Sequence, residues 1–325
     1  MIWIQLAICF AILIYAGARL TKYADTLAQK TKLGGLWIGL VLVATITSIP
    51  ETIASASAAS IFNDDDLALS TLYGGNTFNL LMIGVMDLLN QKLPLLKAVN
   101  RRQVFILFSG IILLTVSGIA IVMGSRAAIL LGTVSLTSIF LLLLYFVLLH
   151  YQQKTATKEE TQDGYLPSVW RSFILKLILA SSAVVIAGVW LSYIGEQISI
   201  ITGFSSSFVG ALVLGITTSA PEVIVSLTAL RIGAIDLAVA NMAGSIMYRA
   251  SIIIIPDIFG RGSILTSVSG DNLVLIAAAI IMAIVAIIGI NYPGRKQLRG
   301  LFSWYTPVII GIYLLSAFVV FSSME

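Results

Sequence analysis

The 325-residue sequence contains one cysteine and one histidine, and only 10% of its residues are charged. Lone Cys9 excludes a disulfide framework, and a single imidazole at His150 excludes a Cys/His metal cluster. Cys9 reads as a small protein- or lipid-facing residue, and His150, beside Tyr151 at a span end, as an interfacial one. The scarcity of charge excludes a soluble globular domain, in which about 25% of residues are charged. No phosphate-cradling loop occurs, nor any polar stretch long enough to hold a nucleotide, so neither a nucleotide cofactor nor hydrolysis is implied, and no enzyme chemistry.

Hydrophobic residues make up 58% of the chain, and mean hydropathy is +1.02. A helix crosses the bilayer with ~20 apolar residues. Runs of this kind occur near 2–18, 34–61, 67–89, 103–123, 127–150, 169–195, 204–230, 236–259, 272–291 and 302–321. They predict an all-α polytopic membrane protein with ten transmembrane helices, five on each side of one polar connection. Long continuous runs exclude an outer-membrane barrel, whose strands alternate over short segments. The first run lacks a positive charge before it and ends in Arg19 and Lys22, so it reads as a membrane helix and not a cleaved signal.

Nearly all of the 19 Lys and Arg residues fall on the side reached after the first span. Arg126 and Arg261 fall on the other side, and Lys176 and Arg249 lie within spans. The positive-inside rule then predicts an inner (plasma) membrane protein with both termini outside. The net charge of +4 is accounted for by this topology, so no nucleic-acid partner is implied.

The sequence is also duplicated. Ala44-Thr45-Ile46-Thr47-Ser48-Ile49-Pro50-Glu51 returns as Gly215-Ile216-Thr217-Thr218-Ser219-Ala220-Pro221-Glu222. Gly39/Gly210, Pro50/Pro221, Glu51/Glu222 and Ser55/Ser226 share one register. One loop deletion later, Asp66/Asp236, Gly74/Gly244 and Asp87/Asp257 share another. The expected organisation is a first five-helix repeat over 1–150 (signature 35–87), a cytoplasmic linker over 151–168, and a second repeat over 169–325 (signature 208–257). Five helices per half is an odd number, so the second repeat enters the membrane inverted. Inverted repeats place a substrate site at the midplane, where interrupted helices face each other.

A carboxylate at that depth is costly unless paired, hydrated or ion-bound. The preceding proline removes a backbone donor and frees carbonyls one turn back, among Ala44–Ser48 and Gly215–Ser219. Carbonyls, hydroxyls and two carboxylates form a hard-oxygen set suited to Na⁺ or Ca²⁺. The alternative for either copy is a kinked helix with a neutral, hydrogen-bonded Glu.

Thr47-Ser48-x-Pro50-Glu51 and Thr218-Ser219-x-Pro221-Glu222 resemble the repeat signature of the calcium/cation antiporter superfamily, which includes sodium/calcium exchangers. Each repeat of that family continues with a Gly-Ser-Asn-x-x-Asn-like segment. Here these segments read Gly74-Gly75-Asn76-Thr77-Phe78-Asn79 and Gly244-Ser245-Ile246-Met247-Tyr248-Arg249. The resemblance implies secondary active cation antiport by alternating access, with the first and sixth helices sliding over the core. It implies Glu51, Glu222 and Asn79 as cation ligands, with Ala44, Thr47, Ser48, Gly215, Thr218, Ser219 and Ser245 completing the shell. The transported ions it implies are Ca²⁺ and Na⁺ or H⁺, so the expected partners are inorganic cations and the lipid bilayer.

Arg249 departs from the pattern. A guanidinium carries five donors and no acceptor and stays charged, so it cannot ligate a cation. Between Glu51 and Glu222 it would stand in for one transported cation and favour a monovalent cation, a proton or another solute. Alternatively it points away from the site, snorkelling or pairing with Asp257. A reading of another class is a membrane scaffold or sensor that keeps the fold without transport. Of the other polar groups, the Asn63–Asp66 turn reads as a solvated connection and Asp87 and Asp257 as helix-end anchors or partners of basic groups. Gly74, Gly75 and Gly244 read as sites of close helix approach.

Overall fold

The computed structural model describes residues 1–30, 48–90, 93–124, 130–131, 134–154, 170–260, 262–295 and 301–323. The first half comprises α1 (Ile2–Lys30), α2 (Ile49–Ser60), α3 (Asp65–Leu89) and α4 (Arg102–Met123). A two-residue antiparallel pair follows, β1 (Leu130–Leu131) with β2 (Val134–Ser135), and then α5 (Leu136–Lys154). The second half opens with α6 (Trp170–Thr202) and a bent pair, α7 (Ser206–Thr218) and α8 (Ala220–Arg231). It continues with α9 (Ile235–Ser251), α10 (Ile254–Phe259), α11 (Ile264–Ser267), α12 (Asp271–Asn291) and α13 (Tyr305–Ser322).

Six of the described helical spans are long and apolar enough to cross a membrane, or seven if the bent α7–α8 pair is one span. The chain is an all-α polytopic integral membrane protein. The run expected over 127–150 divides differently: the hairpin occupies its start and the helix begins at Leu136. Ser135 sets that start, its hydroxyl accepting the Ser138 N–H at 3.1 Å as an N-cap does. The helix then runs to Lys154, into the stretch expected to be linker. Residues 155–169 lie outside the described residues, as do 31–47.

Helix α3 is the centre. It is buried along most of its length and packs against α2, α7, α9, α12 and α13. Asp64 caps it, Oδ1 accepting the Leu67 N–H at 2.8 Å. Its crossing with α7 is a backbone-to-backbone contact. A Cβ on Gly74 would lie 2.3 Å from Ala211 Cα, and one on Gly215 would lie 2.8 Å from the Gly75 nitrogen. Here the expectation of close approach at Gly74 and Gly75 agrees with the packing. Gly244 differs, with nothing within 4 Å of where its Cβ would lie.

Four aspartates at corresponding places in the two halves make corresponding contacts. Asp66 accepts the Ser269 N–H and the Asn272 amide at 2.8 Å each, ahead of and within the first turn of α12. Asp236 accepts the Asn100 N–H at 2.8 Å and the Gln103 amide at 3.3 Å, at the start of α4. Asp87 accepts the N–H groups of Leu95 and Ser303 at 2.8 Å each. Asp257 accepts those of Ile264 at 2.8 Å and Ser135 at 2.7 Å. Asp87 and Asp257 are therefore anchors for the segments leading into α13 and α5. The Asn63–Asp66 turn is no merely solvated connection, because Asp64 and Asp65 also accept hydrogen bonds, from Ser206 and Ser267.

Helices α1 and α6 lie against each other, and each rests on one of the two Pro-Glu helices. A Cβ on Gly17 of α1 would lie 2.5 Å from Pro221 Cγ. A Cβ on Gly188 of α6 would lie 2.8 Å from Ile53 Cγ2 and 3.4 Å from the Pro50 carbonyl oxygen.

Candidate functional site

Helices α2 and α8 begin alike, with Ser48-Ile49-Pro50-Glu51 and Ser219-Ala220-Pro221-Glu222. Each proline occupies the first turn, where its missing N–H is one that no helix would satisfy internally. Each therefore starts a helix. Helices α7 and α8 meet at 47°. Both glutamates sit in a first turn, where the positive end of the helix dipole favours a carboxylate.

The chain brings these two carboxylates to one buried guanidinium. Arg249 Nη2 lies 2.5 Å from Glu51 Oε1 and 3.5 Å from Glu222 Oε1, and all three side chains are 0% exposed. The same nitrogen donates to Ser219 Oγ at 2.9 Å, and the Ser48 hydroxyl donates to Glu222 Oε1 at 3.2 Å. The guanidinium is flat against α3: a Cβ on Gly75 would lie 3.1 Å from Arg249 Cζ. Arg249 does not reach for Asp257, whose oxygens hold Ser135 and Ile264. Asn241 supports the arrangement from α9, its amide donating to the Glu222 carbonyl at 3.2 Å and to Ser226 Oγ at 3.0 Å.

Several polar atoms here are buried with no hydrogen-bond partner among the described residues. They are Glu51 Oε2, Glu222 Oε2, Arg249 Nε and Nη1, and both amide atoms of Asn76 and Asn79. Buried polar groups are ordinarily satisfied, so such a concentration marks groups that meet something other than protein.

The remaining expected ligands divide. Ser48 and Ser219 touch the charged centre. Thr218 turns its hydroxyl back to the Leu214 carbonyl at 2.9 Å, and Ser245 to the Asn241 carbonyl at 3.0 Å. The Gly215 carbonyl, expected to be free, already accepts the Ser219 hydroxyl at 2.7 Å and the Ser219 N–H at 3.3 Å. The Gly215 carbonyl thus keeps its helical N–H partner and takes the Ser219 hydroxyl as well. Ala44 and Thr47 lie outside the described residues. No group of three His, Cys, Asp or Glu side chains is placed to hold a metal ion among the described residues, and the charged centre itself has two carboxylates, Glu51 and Glu222.

Four residues were missed by the sequence reading. Asn76 stands inside the Gly-rich segment already singled out. Asn241 was visible only as a polar residue in an apolar run. Gly17 and Gly188 share the register of the two Pro-Glu motifs and mark where α1 and α6 cross them.

A sequence profile for the family described as "Sodium/calcium exchanger protein" matches residues 1–153 and 172–324. The chain is 26% identical to the inner membrane protein YrbG of Escherichia coli over 96% of this chain and 93% of that protein. It is also 26% identical to the putative antiporter CaxA of Alkalimonas amylolytica, over 85% and 86%. Its fold is similar to that of the sodium-calcium exchanger NCX_Mj, with a TM-score of 0.64 and 17% identity over 97% of this chain and 98% of the other. The family is one of membrane cation exchangers and not of enzymes. With the profile matched along nearly its whole length, the chain belongs to the sodium/calcium exchanger family.

Proposed function

We propose that this protein is a secondary active cation antiporter that works by alternating access around a midplane site built on Glu51 and Glu222. The observation that carries this reading is the convergence of two buried first-turn carboxylates, from corresponding Ser-x-Pro-Glu helix starts, on one polar centre. The corresponding contacts of Asp66 with Asp236, and of Asp87 with Asp257, support two inverted repeats. In this reading α1 and α6 are the moving pair. Glycine contacts at Pro221 and Pro50 leave no side chain to interlock, so the pair slides across the site and exposes it to one side at a time. Ser48, Ser219, Asn79 and Asn76 supply further oxygens. Both termini lie outside.

The test is ion flux in proteoliposomes under an imposed Na⁺ or H⁺ gradient. Counter-transport of a cation that Glu222→Gln abolishes is expected. Absence of gradient-driven flux of Na⁺, H⁺ and Ca²⁺ from folded wild-type protein would reject transport and favour a scaffold.

One observation favours a modified form of the function. Arg249, paired at 2.5 Å with Glu51, stands in for one bound cation. With both carboxylates ionised the centre carries a net charge of about −1, against about −2 without the arginine, and attraction for a dehydrated divalent ion falls accordingly. Ca²⁺ would then be a poor substrate.

A further inference from the structure

We infer that exchange runs on Glu222 alone, which takes one monovalent cation at a time, Na⁺ or H⁺, while Glu51 is withdrawn from transport as the standing counter-ion of Arg249. This rests on the antiporter reading and specifies its substrate class and charge stoichiometry.

The two carboxylates are alike in sequence and unlike in surroundings. Glu51 Oε1 is 2.5 Å from Nη2, a short charge-assisted contact, whereas Glu222 Oε1 is 3.5 Å away, at the outer limit of a hydrogen bond. Glu222 instead accepts the Ser48 hydroxyl at 3.2 Å, a partner that also offers lone pairs to a cation. Its helix is held from behind by Asn241. The arginine is in turn fixed by three constraints: Glu51, Ser219 Oγ at 2.9 Å, and the α3 backbone at Gly75. A guanidinium does not deprotonate in this setting, so the Glu51–Arg249 pair is a neutral unit.

What remains is one carboxylate with oxygens of low charge. Glu222 Oε2 and the Asn76 and Asn79 side-chain oxygens are buried and have no hydrogen-bond partner among the described residues. One monovalent cation neutralises Glu222, whereas Ca²⁺ leaves an uncompensated positive charge in a region of 0% exposure. Ca²⁺ also requires six to eight oxygens, and the corner that Nη2 occupies supplies none. Proton binding needs only the carboxylate. Na⁺ and H⁺ thus compete for the same oxygen atoms, and exchange of one for the other moves no net charge.

The experiment loads proteoliposomes with wild-type protein, imposes an outward H⁺ gradient, and follows Na⁺ uptake with the membrane potential clamped by K⁺ and valinomycin. A step of about 100 mV changes the equilibrium for one uncompensated charge roughly fiftyfold. The inference expects Na⁺ uptake to stay within about twofold across that step, and it expects no gradient-driven Ca²⁺ uptake. The same flux is then measured in Glu51→Gln and in Glu51→Gln/Arg249→Gln. The single variant frees Arg249 to neutralise Glu222, and uptake falls at least about tenfold; the double variant restores the single negative charge, and uptake recovers at least about tenfold from the single. Potential-driven flux, Ca²⁺ uptake in the wild type, or a Glu51→Gln variant as active as the wild type overturns the inference while leaving the antiporter reading in place. If the double variant does not fold, the wild-type potential series decides alone. Loss of all flux in folded wild-type protein rejects the antiporter reading itself.

Discussion

Arg249 and Glu51 lie 198 residues apart in sequence and form a buried ion pair at 2.5 Å, between the end of α9 and the start of α2. Removing one partner of such a pair leaves a charge with neither water nor counter-ion, at a cost of about 3–5 kcal/mol. Arg249→Met is therefore expected to lower the melting temperature of the purified protein strongly. Arg249→Met combined with Glu51→Gln removes both charges and is expected to recover much of that loss. Differential scanning fluorimetry in detergent checks the pair. Additive losses in the double variant would mean that the two side chains are energetically independent.

The glycines divide by their neighbours. Gly74→Ala drives a methyl group to within 2.3 Å of Ala211 Cα, which is backbone and cannot move aside. Overpacking of this kind costs about 1–3 kcal/mol or more. Gly244→Ala meets open space and replaces a poor helix former with the best, a gain of up to about 1 kcal/mol. Melting temperatures should move in opposite directions, and a fall in both would contradict the packing described for α9.

Gly188 and Gly17 carry α6 and α1 over the Pro-Glu helices. Gly188→Val places branched carbons where Ile53 Cγ2 and the Pro50 carbonyl already lie. The expected outcome is folded protein whose cation flux is at least about tenfold lower, because interlocked side chains hold packed helices in discrete positions. Unchanged flux in that variant would mean that α6 does not move relative to α2.

Much of this was legible in the sequence, and the reason is local. Two Ser-x-Pro-Glu segments are short, duplicated and carry their own chemistry, and the ungapped register sets Arg249 opposite Asn79. The partners of Asp87 and Asp257 were not legible. Ser303 and Ser135 lie 216 and 122 residues from their aspartates, and no local pattern encodes which backbone N–H a carboxylate will meet. The proline argument predicts free carbonyls among Gly215–Ser219, but the Gly215 oxygen accepts the hydroxyl of Ser219, four residues on, at 2.7 Å. Which arginine nitrogen pairs with which glutamate was likewise a matter of three-dimensional packing around Gly75.

Asp65, the first residue of α3, is half-buried, and burial holds its carboxyl above the ordinary range, with repulsion from Asp64 and Asp66 adding to the shift. A raised folded-state value means that ionisation opposes folding, so the penalty sets in as pH rises through that value and is absent below the ordinary carboxylate range. Asp65→Asn, which keeps an acceptor for Ser267, should therefore stabilise the protein near neutral pH and lose its advantage towards about pH 4. Melting curves across that interval read the difference, and a constant offset at every pH would show that charge at Asp65 is not responsible.

The claim on which the rest depends is that the Arg249 guanidinium occupies the place of a cation. The direct measurement is a Ca²⁺ titration of thermal stability in wild type, Arg249→Asn, and Arg249→Asn/Glu222→Gln. The account predicts no Ca²⁺-dependent shift in the wild type, a saturable rise in melting temperature in Arg249→Asn, and loss of that rise when Glu222 is also neutralised. Equal Ca²⁺ stabilisation of wild type and Arg249→Asn would contradict it, placing the ion somewhere the arginine does not touch.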